Sequence, residues 1–211
     1  MIDSNIDYIK NHGTTGVLTD YFDDNNINYS FFGDLNLNND DAFIIGNIKT
    51  INCISGKFKN ENIQLGLGYL DKVDPLDILV VRGSDKWAYF GELMSTLSKV
   101  REIQGAIILG KTRDSRFTRK ILPVFSEGYS PIDIKGRGKV KETDVNIEYK
   151  SIIINKDGMC AADKDGVIFF DRIENTHFKN IKNILEHERM LKTKIKEGSS
   201  VKEILKITDS F

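Results

Sequence analysis

The fold is decided by residues 73–117, which read VDPLDILVVRGSDKWAYFGELMSTLSKVREIQGAIILGKTRDSRF. DILVV (77–81) is a short apolar run, typical of a strand that is buried on both faces of a sheet. Over residues 90–101 apolar side chains recur at spacings of three and four, which predicts an amphipathic helix with one buried face. That predicted face consists of Phe90, Leu93, Met94, Leu97 and Val100. AIIL (106–109) predicts the next strand, so that strand, helix and strand form a βαβ unit of an α/β protein.

The sequence on either side of this unit predicts further elements. Residues 23–41 are rich in Asn and Asp, which favour turns, and we expect mostly loop with one short strand, joining an N-terminal helical segment to the core. FIIGNIKTINCI (43–54) predicts a strand with a bend at its glycine. ILPVF (121–125) predicts another strand, whose proline favours a strand end or an edge position.

More β structure and then helices are expected toward the C-terminus. Alternation with polar residues predicts a half-exposed strand through Val145, Ile147 and Tyr149. SIIIN and VIFF are two more apolar runs, separated by a DKDG turn. The pattern turns helical from about residue 176, with one helix that ends at Gly198 and a shorter helix after it.

Length and composition indicate the class of protein. A chain of 211 residues predicts a single domain over 1–211, with a core at about 10–172 and a helical tail at about 176–211. The formal net charge of −1 provides no electrostatic drive toward nucleic acid, so we expect no direct nucleic-acid partner. The N-terminal sequence lacks a signal-peptide pattern, and no apolar stretch of about 18 residues occurs, which predicts a cytoplasmic protein that does not cross a membrane. Cys53 and Cys160 show no metal-ligand spacing and are expected to pack as reduced, small hydrophobic side chains.

Glu92, Arg113 and Asp114 form the spacing that suggests chemistry, because 20 residues separate Glu92 from the Arg-Asp pair. Glu92 is expected at the start of the helix that follows one strand, and the Arg-Asp pair in the loop after the next strand. A right-handed crossover places both positions at the carboxyl edge of the sheet, where they become neighbours.

These residue types suit a small 2-oxo acid and a divalent cation. Backbone N–H groups at the helix start form a site for a carboxylate. The candidate substrate-binding residues there are Gly91, Glu92, Leu93 and Met94. Arg113 offers a planar fork for bidentate binding of the acid, and Asp114 can hold a cation directly or through water. The alternative is that Arg-Asp, a common dipeptide, forms a surface or structural pair.

Several motifs of this chain resemble the RraA-like family. Residues 73–117 look like its (P)GD-x-LVV strand, GD/GE-LLA helix start and G-x-x-RD loop, in that order. PVFSEGYSP, KGRGKV and the DKDGV turn are similar to its downstream signatures, and TGVLTD (15–20) resembles its N-terminal T-x-x-x-S/T-D helix. The resemblance covers roughly residues 10–172 and implies an RraA-like swivelling βα core, with an N-terminal helical segment and C-terminal helices.

The chain is most similar to the aldolase branch of that family, which acts on 4-hydroxy-4-methyl-2-oxoglutarate and 4-carboxy-4-hydroxy-2-oxoadipate. This resemblance implies a class II, metal-dependent pyruvate aldolase with Arg113 and Asp114 as catalytic residues. Arg113 would also bind substrate, and Asp114 would anchor Mg²⁺ or Mn²⁺. The backbone amides of Leu93 and Met94 would receive the pyruvyl carboxylate.

The implied reaction is retro-aldol cleavage of a 4-hydroxy-2-oxo acid to pyruvate, and oxaloacetate decarboxylation passes through the same enolate, which the metal and Arg113 would stabilise. The resemblance also implies a homotrimer or a hexamer with the pocket between subunits, where Glu186 or Glu188 of a neighbouring subunit approaches the metal. Histidine has no part in this mechanism. Solvated structural roles are expected for His12, His177 and His187.

Two arginines depart from the family pattern: Arg116, where an acidic residue often follows the Arg-Asp pair, and Arg82, where Asp commonly follows the strand. With Lys86 and Lys111 they predict a cationic pocket mouth and a substrate with extra negative charge at its distal end, unless they merely face solvent. The alternative function is that of a non-catalytic regulator, which binds a ribonuclease or another protein partner. Such regulators commonly lose the Asp that is intact here as Asp114. A methyltransferase is disfavoured because no glycine-rich strand-to-helix loop suits S-adenosylmethionine.

Overall fold

The computed structural model of the chain describes residues 4–39, 41–58 and 63–208. They form two compact units: a larger one, Thr14–Arg172, and a smaller one made of residues before Thr14 and after Arg172. In chain order the elements are α1 (Ser4–His12), α2 (Thr15–Asp24), β1 (Tyr29–Phe32), β2 (Asn36–Leu37), β3 (Ile44–Ser55), α3 (Ile63–Tyr69), a 3-10 turn (Leu70–Lys72), β4 (Ile78–Arg82), β5 (Ala88–Phe90), α4 (Glu92–Val100), β6 (Gly105–Leu109), β7 (Lys111–Thr112), α5 (Ser115–Ile121), β8 (Val124–Ser126), β9 (Gly138–Thr143), β10 (Ile147–Tyr149), β11 (Ile152–Ile154), β12 (Met159–Asp163), β13 (Gly166–Phe170), α6 (Asn175–Lys196) and α7 (Val201–Ile204).

A mixed nine-stranded sheet organises the larger unit. Its strand order is β1-β13-β12-β3-β4-β6-β8-β2, and β9 pairs with β3. The strands β3, β4, β6 and β8 run parallel, whereas the pairings of β1, β2, β9, β12 and β13 are antiparallel. Because α4 connects the parallel neighbours β4 and β6, the predicted βαβ unit and the α/β class are confirmed.

The apolar runs that predicted central strands are buried as expected. Every residue of β6 is buried, and in β4 only Arg82, at the strand end, is exposed. Two buried side-chain clusters lie among these strands, one around Phe90 and Val81 and the other around Phe125 and Ile107. A continuous apolar strand therefore marks the sheet centre, because both of its faces lose contact with water.

The helix α4 forms where it was predicted, but the expectation that its apolar face is buried was wrong for three of five residues. Phe90 and Met94 are buried, whereas Leu93 is 79% exposed, Val100 is 74% exposed and Leu97 is 44% exposed. The helix instead buries the small side chains of Ser95 and Ser98. The 3.6-residue period identified an apolar face correctly, but periodicity does not say whether the same chain covers it.

Three other predictions need correction. ILPVF is not one strand: its first residue ends α5, and β8 begins only after Pro123, which cannot donate a hydrogen bond to the ladder. The described residues of the 23–41 segment hold two short strands instead of one, because β1 pairs with β13 and β2 pairs with β8. The strand β12 precedes the DKDG turn and was missed, since its sequence MCAAD contains no β-branched residue.

The two cysteines are free and buried, which confirms their expected packing. Burial raises the pKa of the Cys53 thiol to about 12 and raises the pKa of Cys160 as well. Both thiols are therefore protonated and unreactive near neutral pH. None of the helices in the described ranges combines the length and apolar composition that crossing a bilayer requires.

The smaller unit is built around the helices α1 and α6. Its buried side chains include Ile9 of α1 and Phe178, Ile181 and Leu185 of α6. The long helix α6 ends at Lys196, and Gly198 follows with a φ of +91°, a left-handed conformation that confirms the predicted C-terminal stop. The helices expected at both ends of the chain are thus present, while the interpretation as one domain stays a prediction.

Candidate functional site

A second, very small parallel sheet brings the predicted site residues together. In it β5 pairs with β7, with Phe90 opposite Thr112. The Thr112 hydroxyl donates to the carbonyl oxygen of Phe90 at 2.7 Å, and the backbone N–H of Arg113 donates to the same oxygen at 3.0 Å. Gly91 and Glu92, which follow β5, therefore lie beside the Arg-Asp pair that follows β7. The pairing of β5 with β7 thus explains how residues separated by 20 positions in the sequence become neighbours in space.

The carboxylate of Asp114 lies at the N-terminus of α4. Its Oδ2 atom accepts a hydrogen bond from the backbone N–H of Glu92 at 3.2 Å. Asp114 itself has a φ of +58°, a left-handed conformation that Asp adopts more readily than most residues. Within the described part of the chain, the backbone N–H groups of Leu93 and Met94 have no hydrogen-bond acceptor. The helix start thus presents two free donors next to a carboxylate.

Gly91 is required for this close approach. A Cβ atom at Gly91 would lie 2.6 Å from Asp114 Oδ2 and 2.9 Å from Arg113 Cγ, which is closer than real Cβ atoms come to other heavy atoms. The φ of Gly91 is −154°, so the backbone itself would accept other residues. The glycine is therefore needed for space and not for conformation.

We expect Gly91→Ala to impair the site far more than the fold. The added methyl group pushes the Asp114 carboxylate off the Glu92 N–H and displaces Arg113. The expected result is a loss of roughly tenfold to 100-fold in the proposed activity, with a melting temperature within a few degrees of the parent. Differential scanning calorimetry measures the melting temperature, and the pyruvate assay described below measures the activity. Unchanged activity would show that the close contact of Gly91 with Asp114 and Arg113 does not matter for function.

Arg113 is held between two carboxylates. Its Nη1 atom lies 2.8 Å from Asp133 Oδ2, and its Nε atom lies 3.5 Å from Asp114 Oδ2. Sequence reasoning missed Asp133, although this residue lies two positions after PVFSEGYSP, one of the stretches that resembled a family signature. A bridge between Ala88 and Asp133 places that segment along β5 and delivers the carboxylate to Arg113.

These residues line one cavity of about 180 Å³, which we call the Arg113 pocket. Its lining residues are Leu67, Tyr89, Gly91, Glu92, Leu93, Met94, Arg113, Asp114, Asp133 and Ile134. This volume lies below the roughly 300–1,000 Å³ of sites for drug-sized ligands, so the pocket suits a small acid. Burial raises the pKa of Tyr89 well above its usual value, which makes its phenol a neutral group rather than a base.

The charge of the Arg113 pocket suits a divalent cation together with an anionic ligand. The lining residues include three acidic residues, Glu92, Asp114 and Asp133, and one arginine, Arg113, which gives a formal charge of −2. A 2-oxo acid would be repelled by this excess unless a cation offset it. The described residues contain no cluster of three or more His, Cys, Asp or Glu side chains with metal-ligand geometry. An all-protein cage is thus absent from them, but Mg²⁺ typically binds through one or two carboxylates, waters and substrate oxygens. Asp114 fits that role.

The predicted cationic mouth of this pocket was wrong. Arg82, Arg116, Lys86 and Lys111 are not among the residues that line it in the described chain. Arg116 lines a separate cavity with Arg119, and its guanidinium lies 5.7 Å from the ring of Phe117. Lys111 Nζ donates to the carbonyl oxygen of Glu127 at 2.9 Å. Closeness in sequence to the Arg-Asp pair therefore did not bring these side chains into the lining of the Arg113 pocket.

The remaining candidates lie in the smaller unit. Glu186 and Glu188 are on α6, where Glu186 pairs with Lys182 one turn earlier and Glu188 pairs with Lys192 one turn later. The Lys182–Glu186 distance is 3.8 Å and the Lys192–Glu188 distance is 2.9 Å. Their role opposite a neighbouring subunit stays a prediction. The three histidines also belong to this unit and line none of the cavities named here.

Known proteins share this architecture. The uncharacterized protein MJ0644 of Methanocaldococcus jannaschii is 25% identical over 134 residues, which cover 61% of this chain and 62% of the relative. The match therefore spans less than two thirds of that relative's length. An uncharacterized protein from Pseudomonas syringae pv. tomato superimposes with a TM-score of 0.77 at 20% identity, over 97% of this chain and 98% of the other.

A further solved structure carries a functional description of its own. Streptomyces coelicolor RraAS2, described as an unusual member of the RNase ES inhibitor RraA protein family, has a TM-score of 0.73 and 16% identity, over 92% of this chain and 98% of that chain. At such identities these structures show a common fold. Residues 15–169, more than half of the chain, match the family model described as RraA-like, aldolase/RraA. The chain therefore belongs to the RraA-like family, which includes both aldolase-type enzymes and regulator proteins.

Proposed function

We propose that this protein is a divalent-metal-dependent lyase that forms pyruvate from a 4-hydroxy-2-oxo acid, from oxaloacetate, or from both. The observation that carries the proposal is the Asp114 carboxylate, which contacts the start of α4 beside Arg113 in one small pocket. A protein that uses its Arg-Asp pair only on a surface has no need for this arrangement. The cofactor proposed is Mg²⁺ or Mn²⁺.

The free donors of the Arg113 pocket account for substrate binding. The backbone N–H groups of Leu93 and Met94 bind the pyruvyl carboxylate at the N-terminus of α4, where the helix dipole favours negative charge. Arg113 donates to the 2-oxo oxygen from the side. The carboxylates of Asp133 and Asp114 fix the orientation of the guanidinium, because each forms an ion pair with it. The acid is thereby held with its C2 atom next to Asp114.

The reaction follows from where negative charge develops. In the retro-aldol direction the C3–C4 bond breaks, its electron pair moves into the pyruvyl unit as an enolate, and the proton of the 4-hydroxyl group leaves to water. Arg113 stabilises the developing enolate oxygen by charge-assisted hydrogen bonds. Asp114 would hold the divalent cation, which when bound would supply Lewis-acid stabilisation of the enolate. Protonation of C3 by solvent then releases pyruvate.

The exposed side chains of α4 support the proposed homotrimer or hexamer. The exposed apolar face of α4 consists of Leu93, Leu97 and Val100, which recur at helical spacing. Leu93 also lines the Arg113 pocket. An apolar face of this kind is costly in water and is typical of a surface that another protein covers. A second copy of the chain on this face would also enclose the Arg113 pocket.

Val100→Asp is expected to weaken this assembly. A charge placed within an apolar contact is costly to desolvate, so the variant shifts toward monomer in size-exclusion chromatography with light scattering. Val100 is 74% exposed within the chain, so the fold of the subunit should not change. Lys99→Asp, on the neighbouring helix position, is the control for added charge. An identical oligomeric state for parent and Val100→Asp would argue against this face as the interface.

The second candidate function is inhibition of a ribonuclease, which the likeness to RraAS2 favours. Such a function uses protein surfaces and does not need the carboxylate of Asp114. A ribonuclease assay with parent protein and Asp114→Asn distinguishes the two functions. Equal inhibition by both proteins, without pyruvate formation by either, would favour the regulator.

The proposed activity is tested by a coupled pyruvate-release assay. The substrates are 4-hydroxy-4-methyl-2-oxoglutarate and oxaloacetate, each with Mg²⁺, with Mn²⁺ and with a chelator. We expect pyruvate above the non-enzymatic rate in the presence of metal and its loss with chelator. Pyruvate release that is the same with metal and with chelator, or none at all from either substrate, would overturn the lyase proposal.

A further inference from the structure

A second cavity of the larger unit, which we call the lysine cleft, has a volume of about 620 Å³. Three segments line it: the end of β3 with the residues just after it, the loop between β4 and β5, and the turn before β9. Each segment contributes one lysine, and these are Lys57, Lys86 and Lys135. The fold thus brings three lysines that lie far apart in the sequence to one cavity.

The lysines of this cleft have no carboxylate partners. None of the three forms an ion pair with another residue of the described ranges. One acidic residue, Asp85, also lines the cleft, so these four residues together carry a formal charge of +2. The whole chain has a formal net charge of −1, which means that the positive excess is local. Cations that are clustered in this way raise the local concentration of anions.

Arg137 supports the lysine cleft and is not one of its free cations. Its guanidinium donates to the carbonyl oxygens of Asp133 and Lys135 at 3.2 and 3.4 Å. It also lies 5.6 Å from the ring of Trp87. Two carbonyl oxygens of the turn are thereby paired with a positive group, so their partial negative charge opposes an incoming anion less. The role of Arg137 is to hold the turn that carries Lys135.

Backbone hydrogen bonds fix the shape of this turn. The Lys135 N–H donates to Asp133 Oδ1 at 2.7 Å, and the Arg137 N–H donates to the carbonyl oxygen of Ile134 at 2.8 Å. Gly136 lies between them with a φ of +75°, and an added Cβ would meet nothing within 4 Å, so glycine is needed for conformation and not for space. In the described part of the chain no backbone oxygen accepts the Gly136 N–H. The turn therefore offers one backbone donor besides the Lys135 ammonium group.

The other two segments of the lysine cleft are also held in place. The Gly56 N–H donates to the carbonyl oxygen of Arg137 at 2.8 Å, which joins the end of β3 to the turn. The N–H groups of Lys86 and Trp87 donate to the buried hydroxyl of Ser84 at 3.1 and 3.2 Å. All three lysines thus extend from ordered backbone, which lowers the entropy that a bound ligand must offset.

The lysine cleft and the Arg113 pocket select different ligands. Among the described residues, none lines both cavities, and the formal charges of the two cavities have opposite signs. Ammonium groups are compact point charges that suit phosphate oxygens, whereas the planar fork of an arginine also suits a single carboxylate. The volume of the cleft lies within the roughly 300–1,000 Å³ of sites for small organic molecules.

We propose that the lysine cleft binds a phosphorylated small molecule that is not the substrate of the Arg113 pocket. The ammonium groups of Lys57, Lys86 and Lys135 hold its phosphate oxygens, and the Gly136 N–H donates one further hydrogen bond. The phosphate part carries at least two negative charges, since three lysines outweigh one carboxylate here. This site needs neither the metal nor the reaction of the Arg113 pocket.

Isothermal titration with inorganic pyrophosphate, at constant ionic strength and without metal or substrate, tests the site. The double variant Lys86→Ala/Lys135→Ala keeps the hydrogen bonds of both segments, because these use backbone N–H groups. Lys120→Ala/Lys179→Ala removes the same charge from exposed positions of α5 and α6 and is the control. We expect equal binding by the parent and the control, and binding at least roughly tenfold weaker by the double variant. No binding by the parent, or equal binding by the parent and the double variant, would overturn the proposal.

Two further titrations test the ligand class and the location of the site. Citrate, a carboxylate probe of comparable charge, should bind the parent more weakly than pyrophosphate, and equal binding would overturn the phosphate class. Arg113→Lys should bind pyrophosphate as the parent does. A loss in Arg113→Lys as large as in the double variant would place the anion in the Arg113 pocket and overturn the separate site. Because no substrate is present, these results do not depend on whether the protein releases pyruvate.

Discussion

Asp114→Asn is expected to lower metal-dependent pyruvate release by roughly 100-fold or more. An asparagine oxygen still accepts the Glu92 N–H, so the contact to the start of α4 survives. What is lost is the negative charge that holds the cation. The pocket then keeps only two carboxylates against Arg113, and its attraction for a divalent ion falls accordingly.

The matched control for this variant is Asp24→Asn, an exposed carboxylate at the end of α2. Steady-state rates at several Mg²⁺ concentrations separate weakened metal binding from lost chemistry, because excess metal rescues only the former. Circular dichroism should show the same fold for all three proteins. Retention of more than half of the parental rate by Asp114→Asn at low Mg²⁺ would remove this carboxylate from the mechanism.

Arg113→Lys is expected to reduce kcat/KM for pyruvate-forming substrates by roughly 100-fold. Lysine keeps the positive charge but offers a compact ammonium group instead of a planar fork. It cannot contact Asp133 and Asp114 as the guanidinium does, at 2.8 and 3.5 Å, and also donate to the 2-oxo oxygen. The loss therefore measures geometry rather than charge.

Arg116→Lys serves as the control, because Arg116 lies outside the Arg113 pocket. Since the side chain of Arg113 is 35% exposed, its ion pairs contribute little to stability, and Arg113→Lys should unfold near the parental temperature. A loss of activity as small as that of Arg116→Lys would mean that charge alone suffices at position 113.

The large-scale architecture could be predicted from local sequence patterns. DILVV and AIIL became adjacent parallel strands because continuous apolar runs are stable only where both faces are buried. The stop of α6 at Gly198 followed from the left-handed conformation that glycine adopts without strain. The proximity of Glu92 to Asp114 was predicted from βαβ geometry, and the structure places them within one hydrogen bond.

The finer geometry of the site lies beyond such patterns. The strands β5 and β7 contain three and two residues, too few for any periodicity to be detected. Asp133 reaches Arg113 through pairing with β5 across more than 40 residues of sequence, and only the three-dimensional structure shows this. The burial of the α4 face was mispredicted because hydrophobic periodicity does not say whether the rest of the chain covers an apolar face.

The distribution of charge also required the structure. Arg82, Arg116 and Lys111 were expected to join Lys86 at one pocket mouth, but of these four only Lys86 lines the second cavity, between the end of β3 and the turn before β9. Its cationic neighbours there, Lys57, Lys135 and Arg137, come from segments that sequence reasoning had not connected with substrate charge. The predicted preference for a highly charged substrate therefore stays a prediction, and the cationic side chains first suggested for it do not line the Arg113 pocket.

The central claim is that the Arg113 pocket stabilises the enolate of pyruvate with the help of a divalent cation. The most direct measurement is exchange of the pyruvate methyl protons in D₂O, followed by proton NMR, because it requires only the common product and no knowledge of the physiological substrate. Mg²⁺-dependent loss of the methyl signal is predicted for the parent protein and for Asp24→Asn. No loss above the protein-free rate is predicted with chelator or for Asp114→Asn. Failure of the parent protein with Mg²⁺ to accelerate exchange would contradict the claim.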